Sequence, residues 1–228
     1  GSLLLFVNQN VGATQAILVA RSENGSSWSE LEQLEEDPEV GLTFLPTHER
    51  LGGREYVVFQ GLDLELRGTY QLYLKWSDDD GRSWSEAQRL TTFTDITQTD
   101  DPDFYDNQRP YLAVVGEERL GLSWERRYQA GNRQIYYAEY NRQGEASGAR
   151  EEVTSRIESA NFPQLLRHEG ETYLTWFTNP GGRSRIILAR REGIRWERRS
   201  VSASGVEATF PSATGHRERL HLLWQQGA

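Results

Sequence analysis

Four proline positions set the frame of this chain. Phe44-Leu45-Pro46, Gln108-Arg109-Pro110, Asn161-Phe162-Pro163 and Thr209-Phe210-Pro211 follow one another at spacings of 64, 53 and 48 residues. After each comes a short polar turn and then a strand-like run of apolar and aromatic residues: Glu55–Gln60, Arg119–Glu125, Thr172–Phe177 and Arg219–Gln225. A fifth copy, Leu3–Asn8, opens the chain. A further strand follows most of them, at Ala16–Ser22, Gln71–Ser77, Gln134–Tyr140 and Arg185–Arg191, and leads into a turn containing Gly25, Gly81, Gly144 or Gly193. A short polar strand such as Ala87–Thr91 closes the unit. No apolar period of 3.6 residues is sustained, so helix is not expected.

Repeats of about 50 residues with four short strands are the signature of β-propeller blades, which bury their faces only by packing on neighbours. The chain reads as all-β: a propeller of four-stranded antiparallel blades in a single domain, residues 1–228. The repeat units fall near 1–40, 41–92, 107–154, 160–202 and 207–228. First, third and fourth strands occur four times and second strands five times. Four to five blades fit that count, as a closed set or as part of a longer propeller.

Composition limits the partners. A formal charge of −9 argues against nucleic acid and anionic membranes. No apolar run approaches the roughly 20 residues of a membrane span. With no cysteine, neither disulfides nor thiolate metal sites are available. The four histidines, His48, His168, His216 and His221, show no ligand spacing, and no nucleophile elbow or phosphate loop occurs. No metal and no cofactor is expected. Lys75 is the only lysine beside 24 arginines, a bias without functional meaning of its own. The opening Gly1-Ser2 reads as a cloning remnant, so the native ends and any signal peptide are expected to lie outside the sequence. A secreted or periplasmic location is expected.

The turn Ser77-Asp78-Asp79-Asp80-Gly81-Arg82-Ser83-Trp84 matches the Asp box, Ser-x-Asp-x-Gly-x-Thr/Ser-Trp, at every defined position. It resembles the bacterial-neuraminidase (BNR) repeat of sialidase-like propellers. A weaker copy spans Arg21–Trp28, aligned with Arg21 in the Ser place and Glu23 in the Asp place, and later copies keep only Gly144, or Gly193 with Trp196. The box reads as scaffold: Gly81 permits positive φ, Asp79 accepts turn N–H groups, and Ser77, Ser83 and Trp84 complete the turn and its apolar cap. The rival reading is a surface cation site on Asp78, Asp79 and Asp80.

The resemblance implies that ligands bind on the face opposite the Asp boxes. On that face the connection Phe93–Gln108 is the longest and is acidic, carrying Asp103, Tyr105 and Asp106. It reads as a binding loop or as a solvated one. Arg109 replaces the apolar residue of its counterparts Leu45, Phe162 and Phe210, and suits either a grip on a ligand carboxylate or an ion pair with Asp103 or Asp106. Trp124, Glu125, Arg126 and Tyr128 end one second strand, and Trp176 and Asn179 hold the matching place a blade later. Aromatic faces with forked polar groups are how proteins hold sugars, although each Trp fits inter-blade packing equally well.

Catalysis in the sialidase family, by the same resemblance, takes three arginines, a Tyr–Glu nucleophile pair and an acidic proton donor. Arg109-Pro110 is similar to the family's Arg-Ile-Pro motif without its middle residue. Arg126, Arg127, Arg133, Arg183 and Arg185 are candidate partners, but no Tyr–Glu pair is assignable from Tyr105, Tyr128 and Glu125. The chain is also short for that family's six blades. The preferred reading is a non-catalytic carbohydrate-binding or sensor propeller whose partner is a glycan or other small polar ligand. A glycoside hydrolase, or a fragment of one, and a protein-interaction propeller are the alternatives. Monomer and dimer both stay open.

Overall fold

The computed structural model of the chain describes residues 2–12, 14–66, 68–92, 105–128, 130–179 and 181–227. Within them the strands run in sequence order into five antiparallel sheets, with one 3-10 turn at Arg156–Glu158. The first sheet holds β1 (Leu3–Val11), β2 (Thr14–Ser22) and β3 (Glu32–Gln33). The second holds β4 (Val40–Leu51), β5 (Arg54–Asp63), β6 (Thr69–Ser77) and β7 (Gln88–Arg89). The third holds β8 (Tyr105–Gly116), β9 (Arg119–Tyr128), β10 (Arg133–Asn141) and β11 (Glu151–Glu152). The fourth holds β12 (Ala160–His168), β13 (Glu171–Thr178), β14 (Arg185–Glu192) and β15 (Arg195–Ser200), and the fifth β16 (Ala208–His216) and β17 (Arg219–Gln226). Successive up-and-down meanders of this kind are the blades of a β-propeller. Two compact units contain them, Gly1–Pro110 and Tyr111–Ala228.

In the first unit, Ile17, Val19 and Leu34 pack on Val57, Phe59 and Tyr73, with Phe6 and Trp84 at the margin. Each such side chain contributes about 1.5–3 kcal/mol by leaving water. A polar latch crosses the same interface. The Lys75 ammonium is buried and donates to the Leu34 carbonyl (2.8 Å) and to Glu35 (3.2 Å). Glu35 in turn accepts the N–H groups of Glu36 and Asp37.

In the second unit, Ile135, Tyr137 and Val153 meet Leu165, Leu174, Trp176 and Ala189. Phe177, Ile186 and Ala208 then join the fourth sheet to the fifth. Arg191 bridges Glu139 and Glu151, and the Trp196 indole donates to Glu151 at 2.9 Å.

Two local devices recur. After each short fourth strand an apolar residue and a hydroxyl clamp the third strand. Leu90 N–H bonds Leu72 O while Leu72 N–H donates to the Thr91 hydroxyl. Val153 and Thr154 do this to Ile135, and Val201 and Ser202 to Ile186. The second device is the residue before each framing proline. Leu45, Arg109, Phe162 and Phe210 have φ of 49°, 51°, 54° and 52°. The ladder register shifts around Leu45, Phe162 and Phe210. Proline has no N–H to give the ladder, so the strand bulges there.

The turn at Ser77 shows the hydrogen bonding its sequence implies. Asp79 accepts from the Ser83 N–H (2.8 Å), the Ser83 hydroxyl (2.6 Å) and the Ser77 hydroxyl (2.7 Å), while Gly81, at φ 78°, donates to Ser77 Oγ. A Cβ at Gly81 would sit 2.7 Å from Leu4. The weaker copy is built differently from its alignment. Ser22, not Arg21, takes the Ser role, and Asn24, not Glu23, takes the Asp role by accepting from Ser26 and Ser27 N–H. That turn is one residue shorter between acceptor and glycine, which displaces any fixed-spacing match.

Candidate functional site

The pre-proline bulges lie at one end of their sheets. In the fourth sheet Ala160 pairs with Thr178 and Thr178 with Arg185, whereas the turn after β14 lies at the far end, where Glu192 pairs with Arg195. The second sheet repeats this, with Phe44 opposite Gln60 near one end and the Ser77–Trp84 turn at the other.

Side chains at the ends of second strands hold these bulges. In the first unit the Gln60 amide oxygen accepts the Arg109 N–H at 3.0 Å; a separate bond ties β8 to β6, where Asp106 accepts the Tyr70 N–H at 2.8 Å. In the second unit Glu125 accepts the Phe162 N–H at 2.5 Å. Arg133 stands 3.8 Å from the same carboxylate and donates to the Asn161 side chain, which donates onward to Ser159 O. Gln225 occupies the corresponding place on β17, opposite Thr209, and its side chain is exposed.

An aromatic platform sits on the second unit's bulges. Phe162 stacks on Phe177 at 5.6 Å and meets Phe210 edge-on at 4.7 Å. Trp224 packs beside them, and Phe210 is 49% exposed. The left-handed backbone at Phe162 and Phe210 turns these rings out of the strand's normal alternation. Phe162 and Phe210 were legible only as the apolar counterparts of Arg109, and the pre-proline position is the signal that marks them.

The residues singled out from the sequence do not form one cluster. Asp103 lies outside the described residues. Tyr105 is buried, with its hydroxyl on Thr92 O (3.3 Å). Trp124, Arg126 and Tyr128 share one face of β9 and are buried there. The Trp124 ring stacks on Tyr136, the Arg126 guanidinium lies 4.3 Å over that ring, and Tyr128 donates to Gln134 at 2.9 Å. Burial pushes the Tyr136 phenol far above its usual range. Glu125 belongs to the opposite face of β9, with the bulge. Trp176 is fully buried, and Asn179 is exposed. A ring with no free surface cannot stack on a sugar, so Trp124 and Trp176 pack as core rings here. Among the described residues no group of three or more His, Asp or Glu side chains is arranged to hold a metal.

No protein-family model and no curated protein sequence matches this chain. Its likeness is to solved structures. A Hadza microbial sialidase matches with a TM-score of 0.61 at 20% identity over 87% of this chain, which spans 44% of that protein's length. The GH93 α-L-arabinofuranosidase of Fusarium graminearum, solved with arabinobiose, gives 0.68 at 11% identity, covering 96% of this chain and 71% of that one. The GH43 endo-arabinanase of Bacillus licheniformis gives 0.55 at 13% identity, covering 97% and 92%. The fold is therefore a sialidase-like β-propeller.

Proposed function

We propose that this chain is a non-catalytic carbohydrate-binding propeller, a binding or sensor domain that takes a glycan at the bulge end of the blades, away from the Asp box turn. The observation that carries this reading is the exposed Phe210 ring set against Phe162 and Phe177. Such rings cover the C–H face of a sugar, and Arg133 and the exposed Gln225 amide supply forked donors and an acceptor beside them. The sialidase and arabinan-degrading enzymes among the structural neighbours are in keeping with a sugar ligand. Catalysis by glycoside hydrolysis takes two carboxylates, one of which gives up a proton. Glu125, a carboxylate at this platform, is buried and already engaged by a backbone N–H, which favours a positioning role. A glycoside hydrolase, or part of one, is the second reading, favoured by the enzymes among the neighbours. Sugar ligands fit a secreted or periplasmic setting, and no helix among the described residues is long and apolar enough to cross a membrane.

A glycan-array screen with Phe210→Ala and Arg109→Ala in parallel tests this. Binding that falls about ten-fold in Phe210→Ala, as loss of one stacked ring implies, and persists in Arg109→Ala supports the platform. Loss only in Arg109→Ala moves the site to the first unit. Folded, monodisperse protein that binds no glycan overturns the reading in favour of a protein partner, and hydrolysis of a bound glycan overturns its non-catalytic part.

A further inference from the structure

The chain as a whole is acidic, at −9, yet one cleft in the second unit runs against that charge. Two adjoining cavities of about 230 and 420 Å³ share Arg185 and Ser200. Around them stand Arg183, Arg185, Arg198 and Arg199, with Glu158 as the carboxylate. Register puts Trp176, Ile187 and Ser200 in one row across the sheet and Thr178 with Arg185 in the neighbouring row.

The arginines are not equally engaged. Arg183 donates to Gly205 O at 2.6 Å, and Arg198 bonds both Glu158 oxygens at 3.1 and 3.2 Å while lying 5.7 Å over the Trp176 ring. Arg185 is exposed, and among the described residues its guanidinium has no hydrogen bond or ion pair. Below, the fully buried Trp176 lines the smaller cavity, and its indole N–H has no partner. A buried donor left unsatisfied is costly and is rare in native structures.

We propose that this cleft is a binding subsite for a sugar that carries an oxoanion, a carboxylate or a sulfate group. The Arg185 fork matches a planar or tetrahedral oxoanion, the serine hydroxyls suit sugar hydroxyls, and the indole N–H is a further donor. The Glu158 carboxylate already occupies Arg198, so it is the internal group with which an external oxoanion competes. The subsite is separate from the aromatic platform, because Trp176 and Phe177 point to opposite faces of β13.

The test is a titration of ¹⁵N-labelled protein at constant ionic strength with D-glucuronate, glucose 6-sulfate, neutral D-glucose and sodium sulfate. The readout is the Trp176 indole N–H resonance, assigned from Trp176→Phe. At least one anionic sugar is expected to shift this resonance and glucose to leave it in place, and comparing the two sugars separates carboxylate from sulfate recognition. Arg185→Gln, a change at an exposed residue, should weaken binding about ten-fold or more, and Glu158→Gln should tighten it several-fold. Phe210→Ala should leave this titration unchanged while it lowers the array signal, so the two sites fail independently. No shift with either anionic sugar, an equal response to sodium sulfate, or unaltered affinity in Arg185→Gln overturns the proposal.

Discussion

At the Ser77 turn the Ser83 hydroxyl and N–H, followed by the Ser77 hydroxyl, hold the Asp79 carboxyl well below its ordinary 3.8. Asp63 is held low as well. Burial pushes its carboxyl up, but hydrogen bonds from the Tyr73 hydroxyl, Arg89 and the Leu66 N–H together outweigh burial. A carboxyl whose folded value lies below its unfolded one binds fewer protons when folded. Its stabilisation is complete above the unfolded value and is lost as pH falls towards the folded one. The melting temperature should therefore drop as pH is lowered from about 5 to about 2. Asp79→Asn and Asp63→Asn should each flatten that acid limb in thermal melts across pH, with Asp63→Asn less stable at neutral pH. Acid limbs that superimpose on the parent's would show that these carboxyls are not the source. The Ser22 turn uses the Asn24 amide for the same contacts and adds nothing to this limb.

At the scale of the strand, the pre-proline bulge asks an L-residue to take φ near +50°, which costs about 1–2 kcal/mol for most side chains and least for Asn and Gly. Leu45 is the clean site for measuring this, since it is 44% exposed and has little packing to lose. Leu45→Asn should leave stability unchanged or slightly higher, whereas the β-branched Leu45→Val should destabilise by about 1–2 kcal/mol in urea unfolding. Equal stability of the two variants would show that the bulge relaxes. The same backbone constraint serves different ends along the chain. It presents an aliphatic side chain at Leu45, a guanidinium at Arg109 and rings at Phe162 and Phe210. In the fourth and fifth sheets it builds the aromatic platform.

Across the whole molecule, burial follows the middle strands of the sheets. β5, β6, β9 and β10 are buried over most of their length, while β15 and β17 are mostly exposed and, among the described residues, β17 pairs only with β16. Hydrogen exchange should be slowest in the first group and fastest in β15 and β17, and a uniform rate across all strands would contradict this burial pattern. The repeat, the proline frame and the turn chemistry were enough to read the all-β propeller from the sequence, because strand alternation and positive-φ turns depend on neighbours along the chain. The hydrogen bonding of the Ser77–Trp84 turn was legible for the same reason, down to the acceptor role of Asp79. The job of each long side chain near the bulges was not. Trp124 and Arg126 stack on Tyr136, Glu125 faces the other way and holds Phe162, and Trp176 goes into the core beneath an arginine-lined cleft. A strand shows its two faces in its sequence, but which face is covered, and by what, depends on residues tens of positions away. Tertiary packing therefore decided which aromatic rings became core and which stayed exposed.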